Sequence, residues 1–312
     1  MKILFFGTPE IAVPFLSEAA ARHTVVGVVT QPDKPAARHL ELHSSAVKLA
    51  AEKRNLEVFQ PEKFDDETAS KLAKLNAGLG IVVSYGKLIP ETIFNIPKLA
   101  CFNIHFSLLP KYRGAAPVQW ALINGEKETG VSSFWLEKTL DSGPILVQKK
   151  IQIDDSDDEE TLFNKLIPLG LGVMNETLEL LKTGKVPGNK QEGNPTNAPI
   201  LKKEDGKIDW SKPAEEIRNI IRGTKLWPGA YCIGAEGKLE NRRIKILKAE
   251  IFASSASTKP GEISEIVKNK GFVVGCGRGA LLIEEVQPEN KNPMPAWSFL
   301  QGGYASAGSK FQ

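Results

Sequence analysis

Cysteine is scarce in this chain: the three present, Cys101, Cys232 and Cys276, lie too far apart for a disulfide framework. None forms a C-x-x-C pair, so zinc has no sequence signal and the thiols read as small buried hydrophobes. Histidine is nearly as rare, at four residues. His39 and His43 are spaced to share a helix face, but no Cys or carboxylate cluster supports them, so they read as loop residues and no metal is expected. No run of about 18 apolar residues could cross a bilayer. Met1-Lys2-Ile3-Leu4-Phe5-Phe6-Gly7 passes directly into a turn rather than a signal-peptide cleavage pattern. A cytoplasmic chain without membrane partners is the expectation. The G-x-G-x-x-G fingerprint is missing too: only Gly7 follows the first strand-like run, which disfavours a nicotinamide oxidoreductase.

What the chain does have is length and uneven charge. With 312 residues and 41% hydrophobic content, it can fill two cores at roughly 150 residues per domain. The net charge of +3 is not spread evenly: from Leu201 onward 18 Lys and Arg face 13 Asp and Glu, while residues 1 to 200 carry 22 against 24. Excess positive charge in the C-terminal part suggests a polyanionic partner there.

Short apolar runs alternate with helical patterns from the start. Lys2–Gly7, Val25–Thr30, Gly80–Tyr85 and Cys101–His105 read as buried strands, separated by helical segments at Ser45–Lys53 and Glu67–Leu75. That rhythm predicts βαβ units and a Rossmann-like, mostly parallel sheet covered on both faces. Thr8-Pro9-Glu10 offers an N-cap with a first-turn proline and acid. Asp157–Leu181 reads as a long amphipathic helix with an acidic first turn, and Thr183–Glu204, rich in Gly and Pro, has linker composition. After a helix near Pro213–Arg222, the short β-type runs Ala230–Ile233, Arg243–Ile251, Gly261–Val267, Phe272–Val274 and Ala280–Val286 follow without helices between them. Such spacing predicts a small barrel of the oligonucleotide-binding (OB) type, with the Gly275–Gly279 cluster as a hairpin turn.

One strand carries polar groups where apolar ones are expected. In Phe102-Asn103-Ile104-His105-Phe106, residues two apart share a face, so Asn103 and His105 project together. Ligands of open parallel sheets bind beyond the carboxyl ends of the strands, which is where this run gives way to Ser107-Leu108-Leu109-Pro110. A lone histidine more often caps loop backbone. Downstream, however, Leu140-Asp141-Ser142-Gly143 follows a strand-like run at Val131–Leu136, and a carboxylate in that turn can orient or charge an imidazole.

Asn103-Ile104-His105, then Ser107-Leu108-Leu109-Pro110-Lys111-Tyr112-Arg113-Gly114-Ala115-Ala116-Pro117, Glu128-Thr129-Gly130-Val131 and Leu140-Asp141-Ser142-Gly143 together resemble the 10-formyltetrahydrofolate-dependent formyltransferases. Phe6–Glu10, Thr30–Ala36, Val82–Pro90 and Lys203–Trp210 extend the similarity over nearly the whole chain, in the pattern of the branch that acts on initiator methionyl-tRNA. The resemblance implies a catalytic domain at residues 1–188, a linker at 189–206 and an OB-like tRNA-binding β-barrel at 207–312, in a monomer. It implies formyl transfer from the folate to the methionyl amine, with Asn103 and His105 as donors to the oxyanion and Asp141 raising the histidine pKa while helping to move the amine proton. Folate contacts fall on Ser107, Leu108, Leu109 and Pro110 and on the Tyr85–Pro90 loop, including Tyr85, Gly86, Leu88 and Ile89.

Two positions depart from the family pattern. Phe106 stands where a small residue or proline is usual between the histidine and the serine. The loop Ala36–His43 carries one arginine, Arg38, where the tRNA branch is rich in Gly, Lys and Arg; Arg38 is the loop's expected tRNA contact. Rival readings are formyl transfer to an amino sugar or to glycinamide ribonucleotide, and a non-catalytic RNA-binding protein. The β-rich tail argues against the glycinamide enzymes, Ala115-Ala116-Pro117-Val118-Gln119 and Lys203–Trp210 favour the tRNA branch over the sugar branch, and the trio of polar residues argues against loss of catalysis.

Overall fold

The Val-, Ile- and Phe-rich runs form the strands that their composition predicts. The computed structural model of the protein describes residues 1–35, 42–184, 186–253 and 259–312. The strands β1 (Lys2–Gly7), β2 (Thr24–Val29), β3 (Val58–Phe59), β4 (Leu79–Val83), β5 (Cys101–His105), β6 (Glu128–Trp135) and β7 (Ile145–Gln152) make one seven-stranded sheet, in the order β7-β6-β5-β4-β1-β2-β3. From β5 to β3 all neighbours are parallel, while β6 and β7 are antiparallel. Ile3 to Phe6 and all five residues of β4 are buried, as strands covered on both faces must be. The strand order reverses between β1 and β4, the kind of place where open sheets bind ligands.

Helices α1 (Val13–Arg22), α2 (Ala46–Glu52), α3 (Asp66–Lys74), α4 (Glu91–Phe94), α5 (Pro117–Ile123) and α6 (Glu159–Leu180) follow where the periodicity changes. Ser45 and Asp65 cap α2 and α3 by accepting from Lys48 N–H and Thr68 N–H. Thr8 does not cap a helix. Pro9 occupies the cap of a one-turn 3-10 segment, Glu10–Ala12, and the Thr8 hydroxyl instead donates to the Tyr85 carbonyl at 2.8 Å.

Two compact units divide the chain: residues 1–117, 128–152 and 164–199 form the first, residues 118–127, 153–163 and 200–312 the second. In the second unit α7 (Ala214–Gly223) and α8 (Ala296–Gln301) accompany β8 (Tyr231–Ile233), β9 (Arg243–Phe252), β10 (Ile263–Val267), β11 (Gly271–Gly275), β12 (Ala280–Pro288) and β13 (Met294–Pro295). These strands are antiparallel in the order β8-β9-β12-β11-β10, with β13 on β12. Ile217, Ile246, Phe272, Ile283 and Phe299 fill the core. The Gly275–Gly279 cluster is the β11–β12 hairpin, closed by Cys276 N–H on the Gly279 carbonyl at 3.0 Å. Among the described residues the strand ladders form an antiparallel sheet and do not close into a barrel.

Candidate active site

The site begins with the pleat of β5. Asn103 lies in register with Val82 on one side and Phe134 on the other, and His105 pairs with Ser132. His105 is 5% exposed, with its ring edge-on to Phe134. Its Nε2 lies 2.8 Å from the Tyr112 carbonyl oxygen. A carbonyl only accepts, so Nε2 carries the hydrogen and Nδ1 is the nitrogen left to gain or lose a proton. Nδ1 faces Asp141 Oδ2 at 3.8 Å.

Asp141 comes from the turn between β6 and β7 and is 8% exposed. Its φ of +48° lies in the left-handed region, which short polar side chains such as Asp tolerate better than most. The same Oδ2 accepts the Gly114 N–H at 2.7 Å. Gly114 itself has φ +124°, and a Cβ there would lie 2.6 Å from the Ala198 carbonyl oxygen, so only glycine lets that amide reach the carboxylate. Charge, imidazole and backbone amide thus share one oxygen.

Asn103 is half-buried, and among the described residues its Oδ1 is buried without a hydrogen-bond partner. An orphaned amide oxygen costs about 1–3 kcal/mol. A catalytic role is one of the reasons native proteins retain such groups. Both histidine nitrogens face protein groups, while among the described residues the Asn103 amide oxygen has no partner.

The loops that resemblance links to folate are held from below. The Tyr85 carbonyl accepts from both Thr8 Oγ1 and Gln31 Nε2 at 2.8 Å, and Gln60 Nε2 donates to the Gln31 carbonyl at 3.0 Å. The Tyr85 ring packs against Phe6 and Phe64, and burial pushes its phenol up to about 12. Gly86 has φ +80°, with Gln31 Nε2 2.6 Å from where a Cβ would stand. Leu88 is 70% exposed while Ile89 is buried. In the second loop, Ser107 and Leu109 are buried and Ser132 Oγ bridges them, donating to the Ser107 carbonyl at 2.7 Å and accepting the Leu109 N–H at 3.3 Å. Gln148 Nε2 completes the set on the Leu109 carbonyl at 3.0 Å. Leu108 and Pro110 are half-buried. Ser132 and Gln148 had no motif to mark them; each is visible only once the antiparallel strands are in place.

A cavity of about 460 Å³ falls within the size range of small-molecule sites. Its walls are Glu91, Phe94 and Asn95 of α4 and its cap, the run Trp135 to Thr139, Pro144 and Pro187. None of Asn103, His105, Asp141 or the two loops above is among them. Phe106 takes no part: it is 4% exposed, edge-on to Phe15 at 6.0 Å and packed near Gly170 of α6. Arg38 lies outside the described residues.

The stretch with linker composition also reaches the site. Arg113–Gly114 pairs in parallel with Asn197–Ala198, and Thr196 accepts the Tyr112 N–H on Oγ1 at 2.9 Å and the Arg113 N–H on its carbonyl at 2.8 Å. Gln191 bonds the Asp141 turn. No sequence signal marked either residue, since both are ordinary polar side chains in a Gly- and Pro-rich stretch.

Comparison with known proteins agrees with this geometry. Residues 1–178 match the formyl transferase family and residues 200–303 its C-terminal domain. The chain belongs to the formyltransferase family. It is 49% identical over 312 residues to a methionyl-tRNA formyltransferase of Endomicrobium trichonymphae, covering 100% of both chains. A second enzyme of that name, from Thermodesulfovibrio yellowstonii, is 47% identical over 302 residues, 96% of this chain and 95% of its own. Among solved structures the fold is shared with an N-formyltransferase from Helicobacter canadensis, in complex with folinic acid and dTDP-3-aminofucose, at TM-score 0.66 and 19% identity over 92% of this chain and 99% of that one. It is shared also with HypX from Aquifex aeolicus in complex with tetrahydrofolic acid, at TM-score 0.65 and 15% identity over 98% of this chain and 48% of that one.

Proposed function

We propose that the protein transfers the formyl group of 10-formyltetrahydrofolate to the methionyl amine of initiator tRNA, giving formylmethionyl-tRNA for translation initiation. The observation that carries this is the convergence of Asn103, His105 and Asp141 in a chain that matches methionyl-tRNA formyltransferases end to end.

The folate supplies the formyl carbon. The proposed folate contacts are the Tyr85–Ile89 and Ser107–Pro110 loops, held by side-chain bonds to their carbonyls. Asn103 acts at the reacting carbon: its amide N–H meets the negative charge developing on the formyl oxygen. His105 takes the amine proton on Nδ1, since Nε2 is committed to Tyr112, and returns it to the folate nitrogen as the bond from that nitrogen to the formyl carbon breaks. The imidazolium so formed faces Asp141, whose charge is fixed in place by the Gly114 amide.

On this reading residues 1–188 form the catalytic domain, 189–206 the linker and 207–312 an OB-like barrel that binds tRNA, in a cytoplasmic monomer. Supporting the barrel, the C-terminal residues hydrogen-bond on one side to Ile233 and Ala235 and on the other to Gly261 and Ile263, next to the two end strands of the second sheet. Supporting RNA contact, the C-terminal part carries the chain's positive charge, and Arg38 is the proposed contact within residues 1–188.

The test is to incubate the purified protein with 10-formyltetrahydrofolate and, separately, charged initiator tRNA, charged elongator tRNA and amino sugars. Formylation of the initiator RNA above the others is expected; formylation of no RNA would overturn the reading.

A further inference from the structure

Asp141 sits at φ +48° in a turn outside any strand ladder, so something other than secondary structure must hold it. Its carbonyl oxygen accepts from Gln191 Nε2 at 2.9 Å, and the same nitrogen donates to the Gly143 carbonyl at 2.9 Å. A primary amide is suited to this, because its two hydrogens diverge and can span two carbonyls of one turn. At its other end Gln191 Oε1 accepts from Arg113 Nε at 3.2 Å and Arg113 Nη2 at 2.6 Å. Both faces of the amide are therefore fixed. Arg113 is anchored in turn through its backbone, by the Thr196 carbonyl and the pairing with Asn197.

We infer that Gln191 is a positioning residue for Asp141: clamped by Arg113, it holds the turn that aims the carboxylate at His105. The inference rests on the assignment of Asp141 to proton handling. Gln191 touches neither substrate nor the reacting atoms; it acts through the backbone of the turn. Loss of its two donors leaves the Asp141 and Gly143 carbonyls to water and frees the turn, so the carboxylate drifts from the imidazole.

Gln191→Glu separates this role from a merely structural one. A glutamate keeps, and strengthens, the bond to Arg113, so a linker clasp would survive. It cannot donate, and it sets a negative charge against two carbonyl oxygens. Steady-state kinetics of Gln191→Glu, Asp141→Asn and the double variant, each shown folded by circular dichroism at the assay temperature, decide between them. Gln191→Glu should lose roughly 10- to 100-fold in kcat, the scale for a slightly misplaced catalytic group, with KM for folate and tRNA within about threefold. In the Asp141→Asn background the same change should cost no more than about twofold, because residues acting as one unit are not additive. Wild-type turnover for Gln191→Glu beside an impaired Asp141→Asn would overturn the inference alone, as would losses that multiply in the double variant. Wild-type turnover for Asp141→Asn would overturn the assignment of Asp141, and the role of Gln191 with it.

Discussion

His105 holds Nδ1 3.8 Å from Asp141 Oδ2, and that oxygen is already bonded to the Gly114 amide at 2.7 Å. The carboxylate is thus oriented by backbone rather than by the imidazole it faces, and the pair stays aligned whether or not His105 carries a proton. Replacement of Asp141 by Asn removes the charge while keeping an oxygen for Gly114. Turnover should fall about 10²- to 10⁴-fold, the usual contribution of a positioned acid–base group, with folate affinity retained. Single-turnover formylation beside a fluorescence titration with folate would check it.

Asn103→Ala removes a buried amide oxygen that has no partner among the described residues. The expected loss is roughly 10²–10³ in kcat, as for one oxyanion donor, with little change in folate binding. A folded variant with near-normal turnover would remove Asn103 from the mechanism.

Phe106 packs on Phe15, inside the first unit's core. Phe106→Ala should lower unfolding free energy by about 3–5 kcal/mol through the cavity it leaves, and shift folate KM by less than about threefold. Urea unfolding and steady-state kinetics on the same preparation separate the two effects.

The acidic run Asp154–Glu160 at the start of α6 meets basic groups of α7 and the turn after it. Arg222 donates to the carbonyls of Asp154, Asp155 and Asp157 at 3.2 to 3.4 Å, and Lys225 pairs with Asp158 at 2.6 Å. Burial alone would push the Asp158 carboxyl up, but Lys225 and the Thr161 amide together draw it below its ordinary value of 3.8. Asp158 and, to a lesser degree, Glu160 hold Lys225 above its ordinary 10.5. A depressed acid stabilises above its unfolded pKa and loses this as pH falls through the folded one; a raised base stabilises below its unfolded pKa and loses this as pH rises through the folded one. The pair therefore contributes between about pH 4 and about pH 10. Lys225→Met should cost roughly 0.5–1 kcal/mol at pH 7, a value limited by solvent screening, and the difference should close as pH falls below about 4. Paired urea titrations across that range would show it.

Much of this was legible in the chain. Cys101–His105 and Lys2–Gly7 form strands at the expected residues, because buried parallel strands need uninterrupted apolar runs and these have them. β7 was not legible: Gln148-Lys149-Lys150 breaks the apolar pattern, as edge strands often do. Asn103, His105 and Asp141 could be found from residue type, alternation and family likeness. What holds them could not, since Tyr112, Gly114 and Gln191 act through backbone geometry and contacts up to 50 residues apart along the chain. Thr8 shows the converse: its sequence suits a helix cap, and tertiary contact with Tyr85 claimed the hydroxyl instead.

The parallel pairing of Arg113–Gly114 with Asn197–Ala198 has a practical consequence for dissection of the enzyme. A truncation ending at residue 178, where the N-terminal family match stops, removes Gln191, Thr196 and Ala198, and with them the supports of the Asp141 turn and of the Tyr112–Gly114 segment. Such a fragment would keep every catalytic side chain and lose the frame that aims them. Its inactivity would reveal nothing about RNA binding, and a fair excision must run through residue 199.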